Sequence, residues 1–266
     1  MNRMSAPSRR ALRAPGLARS LITALRIEGF RLLLIGGLAG LSIALLQRAF
    51  PPDDHRWAGR HVTAWRASAA SSSAAVRDSA MAALAMLEPH APETIELAAQ
   101  LLGDTDVRVS TGAIRELQEA ARARPASAAS VQRALAWTLR TGDSRARQNA
   151  ARVVGALGAD AAPVLSALVD AGTDSADATR AAVATALGAV LEGAPLTSAP
   201  VRDRALLLLF QMLRDPAWPV RDAALEGLFR GATLDHRLAN AIAVARMDPR
   251  AEVRERALAA TYPGWR

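Results

Sequence analysis

The 266-residue sequence contains neither cysteine nor lysine, and aromatic residues make up only 4% of it. Without cysteine the chain cannot form a disulfide, a thiolate nucleophile, a cysteine-ligated metal site or a lipidated cysteine. All 33 basic residues are arginine, which indicates a compositional bias and weakens any argument from a single arginine. The apolar content is mainly Ala, Leu and Val, which suits closely packed helices better than the strands of a sandwich or barrel. Composition therefore predicts an all-α fold.

The net charge of +8 is concentrated at the N-terminal end of the chain. Residues 1–31 carry a net charge of +6, residues 47–66 carry +2, and residues 67–266 are neutral. A nucleic-acid-binding domain normally carries its basic excess on its own folded surface. We therefore predict no nucleic acid as partner.

One uncharged apolar run lies between two basic segments, at residues 32–46. As a helix it would cover about 22 Å, and flanking Phe30 and Phe50 extend it if the neighbouring arginines reach the headgroups. We predict an uncleaved transmembrane anchor at residues 32–50. A cleaved signal peptide and a buried soluble helix are the alternatives. The predicted anchor residues are Leu32, Leu33, Leu34, Ile35, Leu38, Leu41, Ile43, Leu45 and Leu46.

The anchor divides the chain into a basic tail at residues 1–31, a juxtamembrane helix or linker at residues 51–71, and a body at residues 72–266. Seven arginines precede the span and four follow it, although a count over twenty residues on each side is equal. The longer count favours an N-terminus in the cytoplasm. The prediction is a single-pass protein of a bacterial inner membrane with its body on the periplasmic side.

A phrase of the form V-R-x-x-A-x-x-A-L recurs in the body, in strict or relaxed form, at intervals of 31 to 41 residues. Such a period indicates a repeat architecture. Offsets of four, seven and eight place the apolar residues on one helical face. The arginines of the six phrases are Arg77, Arg108, Arg147, Arg180, Arg221 and Arg254.

A second apolar segment lies between successive phrases, so each period is predicted to be a pair of helices. In the fourth of these segments we expect Leu208 to be buried, and in the third we expect Asp160 to cap the helix. The predicted second helices cover residues 92–102, 129–139, 161–169, 201–213 and 234–244.

The phrase and the turn before it resemble those of HEAT repeats, including the variant found in bilin-lyase-like proteins. Asp174, Asp215 and Asp248 each stand six residues before the arginine of their unit. The resemblance implies that these aspartates and arginines form a ladder of hydrogen bonds along the stack. Asp104 and Asp143 stand only four residues before their arginines, which departs from the pattern.

The resemblance implies an α-solenoid of about six HEAT-like helix pairs, preceded by one transmembrane helix, in a membrane-anchored bacterial protein. It favours a scaffold or accessory subunit that binds another protein in a membrane complex. The alternative is a HEAT-like enzyme, either bilin-lyase-like or DNA-alkylation-glycosylase-like. The sequence contains no HExxH, glycine-rich phosphate loop or GxSxG motif. We therefore predict no catalytic residue, cofactor, metal or small-molecule substrate.

Trp57, His61 and Trp65 would share one face of a helix just after the predicted span, at spacings of four residues. Aromatic rings at this position are typical of interfacial anchoring or of packing by a first helix. A cofactor site is the alternative.

The strongest charge in the body is a +6 block at residues 120–159, between blocks of −5 and −4. Because a solenoid turns sequence blocks into adjacent stripes, this block could bind an acidic partner, although an unselected solvated face is the alternative. The predicted partner-binding residues are Arg133, Arg140, Arg145, Arg147 and Arg152, with Tyr262 and Trp265 of the C-terminal tail.

Overall fold

The computed structural model describes residues 56–193, 199–231 and 236–259, all within one compact unit. The predicted tail and anchor at residues 1–50 lie outside the described residues, as do Tyr262 and Trp265.

The described residues form twelve α-helices, a two-stranded ribbon and two short 3-10 segments. The ribbon pairs β1 (Arg56–Trp57) with β2 (Arg60–His61) in antiparallel register. The 3-10 segments are Gly158–Val164 and Ala171–Thr173. The helices are α1 (Val62–Ser68), α2 (Ala74–Leu87), α3 (Pro92–Leu101), α4 (Val107–Ala123), α5 (Pro125–Thr141), α6 (Ser144–Leu157), α7 (Leu165–Asp170), α8 (Asp177–Gly193), α9 (Ala199–Met212), α10 (Trp218–Gly231), α11 (His236–Ala245) and α12 (Ala251–Ala259).

The helices from α2 onward alternate between two layers. The first helices of the pairs, α2, α4, α6, α8, α10 and α12, pack on one another in chain order. The second helices, α3, α5, α7, α9 and α11, form the other layer, so units 1 to 5 are complete pairs. Unit 6 is described only by α12, because residues 260–266 lie outside the description. The predicted α-solenoid is confirmed for these residues.

The ribbon and α1 cover the N-terminal end of the stack, so the predicted linker at residues 51–71 contains a helix that packs on unit 1. Trp65 is buried against α2, and its ring centroid lies 5.3 Å from that of Trp57. Its Nε1 donates to the Trp57 carbonyl at 3.1 Å. His61 does not share a helix with Trp57; its Nδ1 accepts from the Thr63 backbone at the start of α1. The two tryptophans therefore serve first-helix packing.

Small residues allow the first helices to approach closely. A Cβ on Gly188 of α8 would lie only 2.5 Å from the Cα of Gly227 in α10. A Cβ on Gly155 of α6 would lie 3.4 Å from the Cα of Ala186. The repeated small residues therefore set the spacing of the first-helix layer.

Two local predictions need correction. In α9, Leu209 is fully buried, whereas Leu208 is only half-buried and lies over Gly172. The predicted helix 161–169 is a 3-10 segment followed by α7, and Asp160 makes no capping hydrogen bond. Pro163 lies inside the 3-10 segment, and because proline has no N–H it cannot continue an α-helical ladder.

Among the described residues, one continuous helical run, Ser144–Thr173, is long and apolar enough by composition to cross a membrane. It comprises α6, the two 3-10 segments and α7. Its Ala150, Val153, Val154 and Leu168 are fully buried in the main core cluster. We therefore assign this run to the solenoid core.

The close approach of α8 and α10 can be tested with two glycine substitutions. Gly188→Ala should lower the free energy of unfolding by about 1–3 kcal/mol, because the new methyl group overlaps the backbone of α10. Gly112→Ala in α4 is the control, since its Cβ would meet nothing closer than 3.8 Å. It should raise stability by about 0.5–1 kcal/mol through helix propensity. Urea unfolding of the full chain in detergent, followed by circular dichroism, would measure the stability of both variants. Equal changes in the free energy of unfolding would contradict the close packing of α8 against α10.

Candidate partner-binding surface

A ladder of arginine–aspartate pairs joins successive units along the stack. In each well-formed rung, the guanidinium of one unit donates from Nε and Nη2 to both carboxylate oxygens of the next unit. For Arg180 and Asp215 these distances are 2.7 and 2.9 Å. Such bidentate, charge-assisted pairs are among the stronger hydrogen bonds in proteins. Three rungs share this geometry: Arg77–Asp104, Arg180–Asp215 and Arg221–Asp248.

The third nitrogen of each guanidinium fixes the turn of its own unit. Arg221 Nη1 donates to the backbone carbonyls of Asp215 and Pro216, at 2.8 and 3.1 Å. The Asp215 carboxylate in turn accepts from the backbone N–H of Ala217 at 2.9 Å. The ladder implied by the sequence is therefore present. Its pairing differs, because Arg180 and Arg221 each bind the backbone carbonyl of the aspartate in their own unit and the carboxylate of the aspartate in the next.

The rung between units 3 and 4 is less regular. Arg147 Nε lies 2.6 Å from Asp174 Oδ2, but neither atom makes a well-aligned hydrogen bond. Ser144 Oγ donates to the other carboxylate oxygen of Asp174 at 2.8 Å. This rung is an ion pair supported by a hydroxyl group.

The ladder is interrupted between units 2 and 3. Arg108 turns to Asp106 of its own unit, at 3.1 Å, and its side chain is 64% exposed. Asp143, which would be its partner, instead caps α6 by accepting from the Ala146 backbone at 2.7 Å. A buried amide instead links unit 3 to unit 1, because Asn149 Nδ2 donates to the carbonyl of Leu102, at the end of α3, at 2.8 Å.

The ladder keeps its carboxylates ionised. Hydrogen bonds from Arg77 and Arg221 lower the pKa of Asp104 and Asp248, against a smaller opposing effect of burial. Burial has the largest single effect on Asp215 and Asp174 and raises the pKa of each. It is outweighed by hydrogen bonds and by the neighbouring arginines, so their pKa values are also lowered.

Removing one guanidinium should destabilise the stack in proportion to its burial. Arg221→Ala leaves the carboxylate of Asp248, rather than that of Asp215, without its guanidinium partner, and should lower the free energy of unfolding by about 1–3 kcal/mol. The Arg221 side chain is only 11% exposed. Arg108→Ala is the matched control and should change stability by about 0.5 kcal/mol or less. Urea unfolding of the full-length variants measures the two changes in the free energy of unfolding. Equal changes would show that the bidentate pair between units adds no stability beyond that of an exposed arginine.

The described residues contain no group of three His, Asp or Glu side chains that could hold a metal ion. Burial raises the pKa of Glu116, whose carboxylate lies 3.2 Å from both the backbone nitrogen and Nδ1 of His90. Neither residue lines any of the grooves described below. The pair therefore connects unit 2 to the turn of unit 1.

One groove of the second-helix layer lies between α3 and α5 and encloses about 410 Å³. Its central feature is Trp137, whose side chain is 58% exposed. Arg133 stands one turn before it on α5, and Glu96 and Gln100 line the facing side of α3. We call it the Trp137 groove.

A second groove lies between α9 and α11 and encloses about 510 Å³. Leu206, Leu207, Phe210 and Val244 give it an apolar centre, and Leu207 and Val244 are largely exposed. We call it the α9–α11 groove.

The first-helix layer has a trough of about 590 Å³ over α6, α8 and α10, and its floor is mostly alanine. The charged residues of its α10 wall already have partners on the protein. Asp222 and Glu226 pair with Arg256, and Arg230 pairs with Glu192. The large exposed apolar groups in the grooves therefore belong to the second-helix layer.

The structure does not bring the predicted arginines of residues 120–159 onto one surface, because α5 and α6 lie in different layers. Arg133 lines the Trp137 groove, whereas Arg152 lines the trough on the first-helix side. Arg140 and Arg147 line a cavity of about 280 Å³ near the ladder. Arg145 Nη1 lies 3.5 Å from the Thr105 carbonyl. Sequence reasoning missed Trp137, although a tryptophan one turn from an arginine on an exposed helix face was an available signal.

Solved structures similar to this one include helical repeat proteins. A designed armadillo repeat protein in complex with the peptide (KR)4 is 16% identical, with a TM-score of 0.48 over 76% of this chain and 98% of that one. Importin beta is 18% identical, with a TM-score of 0.49 over 74% of this chain and 28% of importin beta. Neither a protein-family model nor a curated protein matches this chain. The α-solenoid assignment rests on the helix pairs themselves.

Proposed function

We propose that this chain is a membrane-tethered, non-catalytic scaffold that binds a protein partner, as an accessory subunit of a membrane complex, through its second-helix layer. The observation that carries the proposal is the exposure of Trp137, Leu207 and Val244 in two grooves of that layer. Large apolar side chains that stay exposed in grooves mark protein-binding surfaces. Arg133 beside Trp137 supplies the polar rim that such surfaces usually have.

The tether in this proposal is the apolar run at residues 32–46, held in a bacterial inner membrane with the N-terminus in the cytoplasm and the solenoid in the periplasm. It is supported by the length of the run and by the arginines on both sides of it. The Asp-Pro turns at Asp215 and Asp248 support a HEAT-type repeat of the variant found in bilin-lyase-like proteins.

The tether can be tested by the mass of the mature protein. The chain should be recovered with membranes, should need detergent for extraction, and should retain residues 1–46 in intact-mass measurements. The physical reason is that an apolar helix flanked by charged segments stays in the bilayer. Recovery of a soluble protein that begins after residue 46 would overturn this part of the proposal.

The binding surface can be tested with single cysteines, because the chain has none of its own. A photo-crosslinker on Gln100→Cys, in the Trp137 groove, should give a discrete cross-linked product in solubilised membranes. The same reagent on Ser79→Cys, an exposed site on α2 outside the grooves, should not. Adding Trp137→Ala should lower the yield about tenfold or more, as expected for an aromatic anchor.

Two results would contradict the proposed surface. One is an equal product from Gln100→Cys and Ser79→Cys, which would indicate random collision. The other is an unchanged yield with Trp137→Ala in a variant whose circular dichroism matches that of the native chain.

A further inference from the structure

The α9–α11 groove is long, apolar at its centre and charged at its two ends. Asp203 lies near the start of α9, and Arg214 follows its end. The two residues are eleven positions apart, which corresponds to about 16 Å or three helical turns. Leu206, Leu207 and Phe210 occupy the turns between them.

The charges at the two ends are available to a ligand. Asp203 and Arg214 are exposed, and neither makes a side-chain hydrogen bond or ion pair with any residue that the structure describes. The trough of the first-helix layer differs, since Asp222, Glu226 and Arg230 are paired there. With respect to the described residues, the α9–α11 groove therefore presents an unpaired negative charge at one end and an unpaired positive charge at the other.

The walls of the groove favour a helical ligand over an extended one. Both walls are α-helices, whose interior backbone groups are already hydrogen-bonded within each helix. An extended segment would find few backbone partners and would lose those it makes with water. A helix brings its own backbone hydrogen bonds and can place one row of side chains between α9 and α11.

We propose that the α9–α11 groove binds an amphipathic helix of the partner protein, about three turns long. A basic residue of that helix lies over Asp203, and an acidic residue about eleven positions away lies over Arg214. Large apolar residues on the same face, at the intervening turns, contact Leu207, Phe210 and Val244. This inference rests on the proposed scaffold function and specifies the chemistry of the partner at one of its two grooves.

Three synthetic helical peptides with fluorescent labels test the charge pattern against the full chain in detergent. Each has two leucines on one face, and the flanking charges about eleven positions apart are Lys/Glu, Lys/Lys or Glu/Glu. The Lys/Glu peptide should bind the native chain about fivefold or more tightly than either reference peptide. Arg214→Glu should transfer the preference to the Lys/Lys peptide, because both ends of the groove are then acidic.

A pair of surface variants tests the location. Leu207→Glu should abolish saturable binding of the Lys/Glu peptide. Met86→Glu, on α2 and outside the grooves, should leave it unchanged, and both native side chains are largely exposed, at 58% and 66%. Circular dichroism of each variant reports whether the fold is kept.

The inference is overturned by any of three results. These are no saturable binding of the Lys/Glu peptide up to about 1 mM, equal binding of all three peptides, or an equal loss with Met86→Glu. If peptide binding fails while cross-linking at Gln100→Cys still depends on Trp137, the groove inference falls and the scaffold function stands. If instead the peptides bind as expected but cross-linking at Gln100→Cys does not depend on Trp137, the Trp137 groove is not a binding surface of the scaffold.

Discussion

The guanidinium groups of Arg77, Arg180 and Arg221 each contact two units at once. The fork of each binds the aspartate of the next unit, and the remaining nitrogen binds the turn of its own unit, as Arg221 does with Asp248 and Asp215. The same planar group therefore fixes both the turn within one unit and the spacing between that unit and the next. Because both charges of a rung are mostly buried, loss of one leaves the other unpaired at a substantial cost. The register of the stack depends on this contact.

The ladder and the close contact between Gly188 and Gly227 both involve the first helices of the stack. The ladder runs through the turns that precede the first helices, and Gly188 meets Gly227 between two of those helices. Among the described second helices, the ion pair between Arg204 of α9 and Asp170 of α7 is longer, at 3.3 Å, and both side chains are largely exposed. A groove separates α9 from α11. The surfaces available to a partner therefore arise where the constraints of the stack are weakest.

The repeat phrase was sufficient to predict the paired helices and their order, because both depend on local spacing. The ladder was implied only by the resemblance to HEAT repeats, and its pairing from one unit to the next was not predicted. The phrase could not predict which of four consecutive leucines in α9 is buried, since any phase of an unbroken apolar run suits a helix; Leu209, not Leu208, is buried. The basic block of residues 120–159 was expected to form one surface. The structure divides it because α5 and α6 belong to different layers. Both grooves depend on distances between helices, which local spacing does not specify.

The interruption of the ladder has a mechanical consequence. Among the described residues no charged fork joins units 2 and 3, because Arg108 pairs within its own unit. The hydrogen bond donated by Asn149 of unit 3 is neutral and reaches Leu102 at the end of α3 in unit 1, and a neutral bond is generally weaker than a charged one. When the array is bent, units 2 and 3 should therefore move relative to each other before any other pair of neighbouring units does. The Trp137 groove lies on one side of the junction between units 2 and 3 and the α9–α11 groove on the other. A partner that occupies both grooves would therefore contact two rigid segments of the array, and bending between them would let the distance between the grooves adjust to the partner.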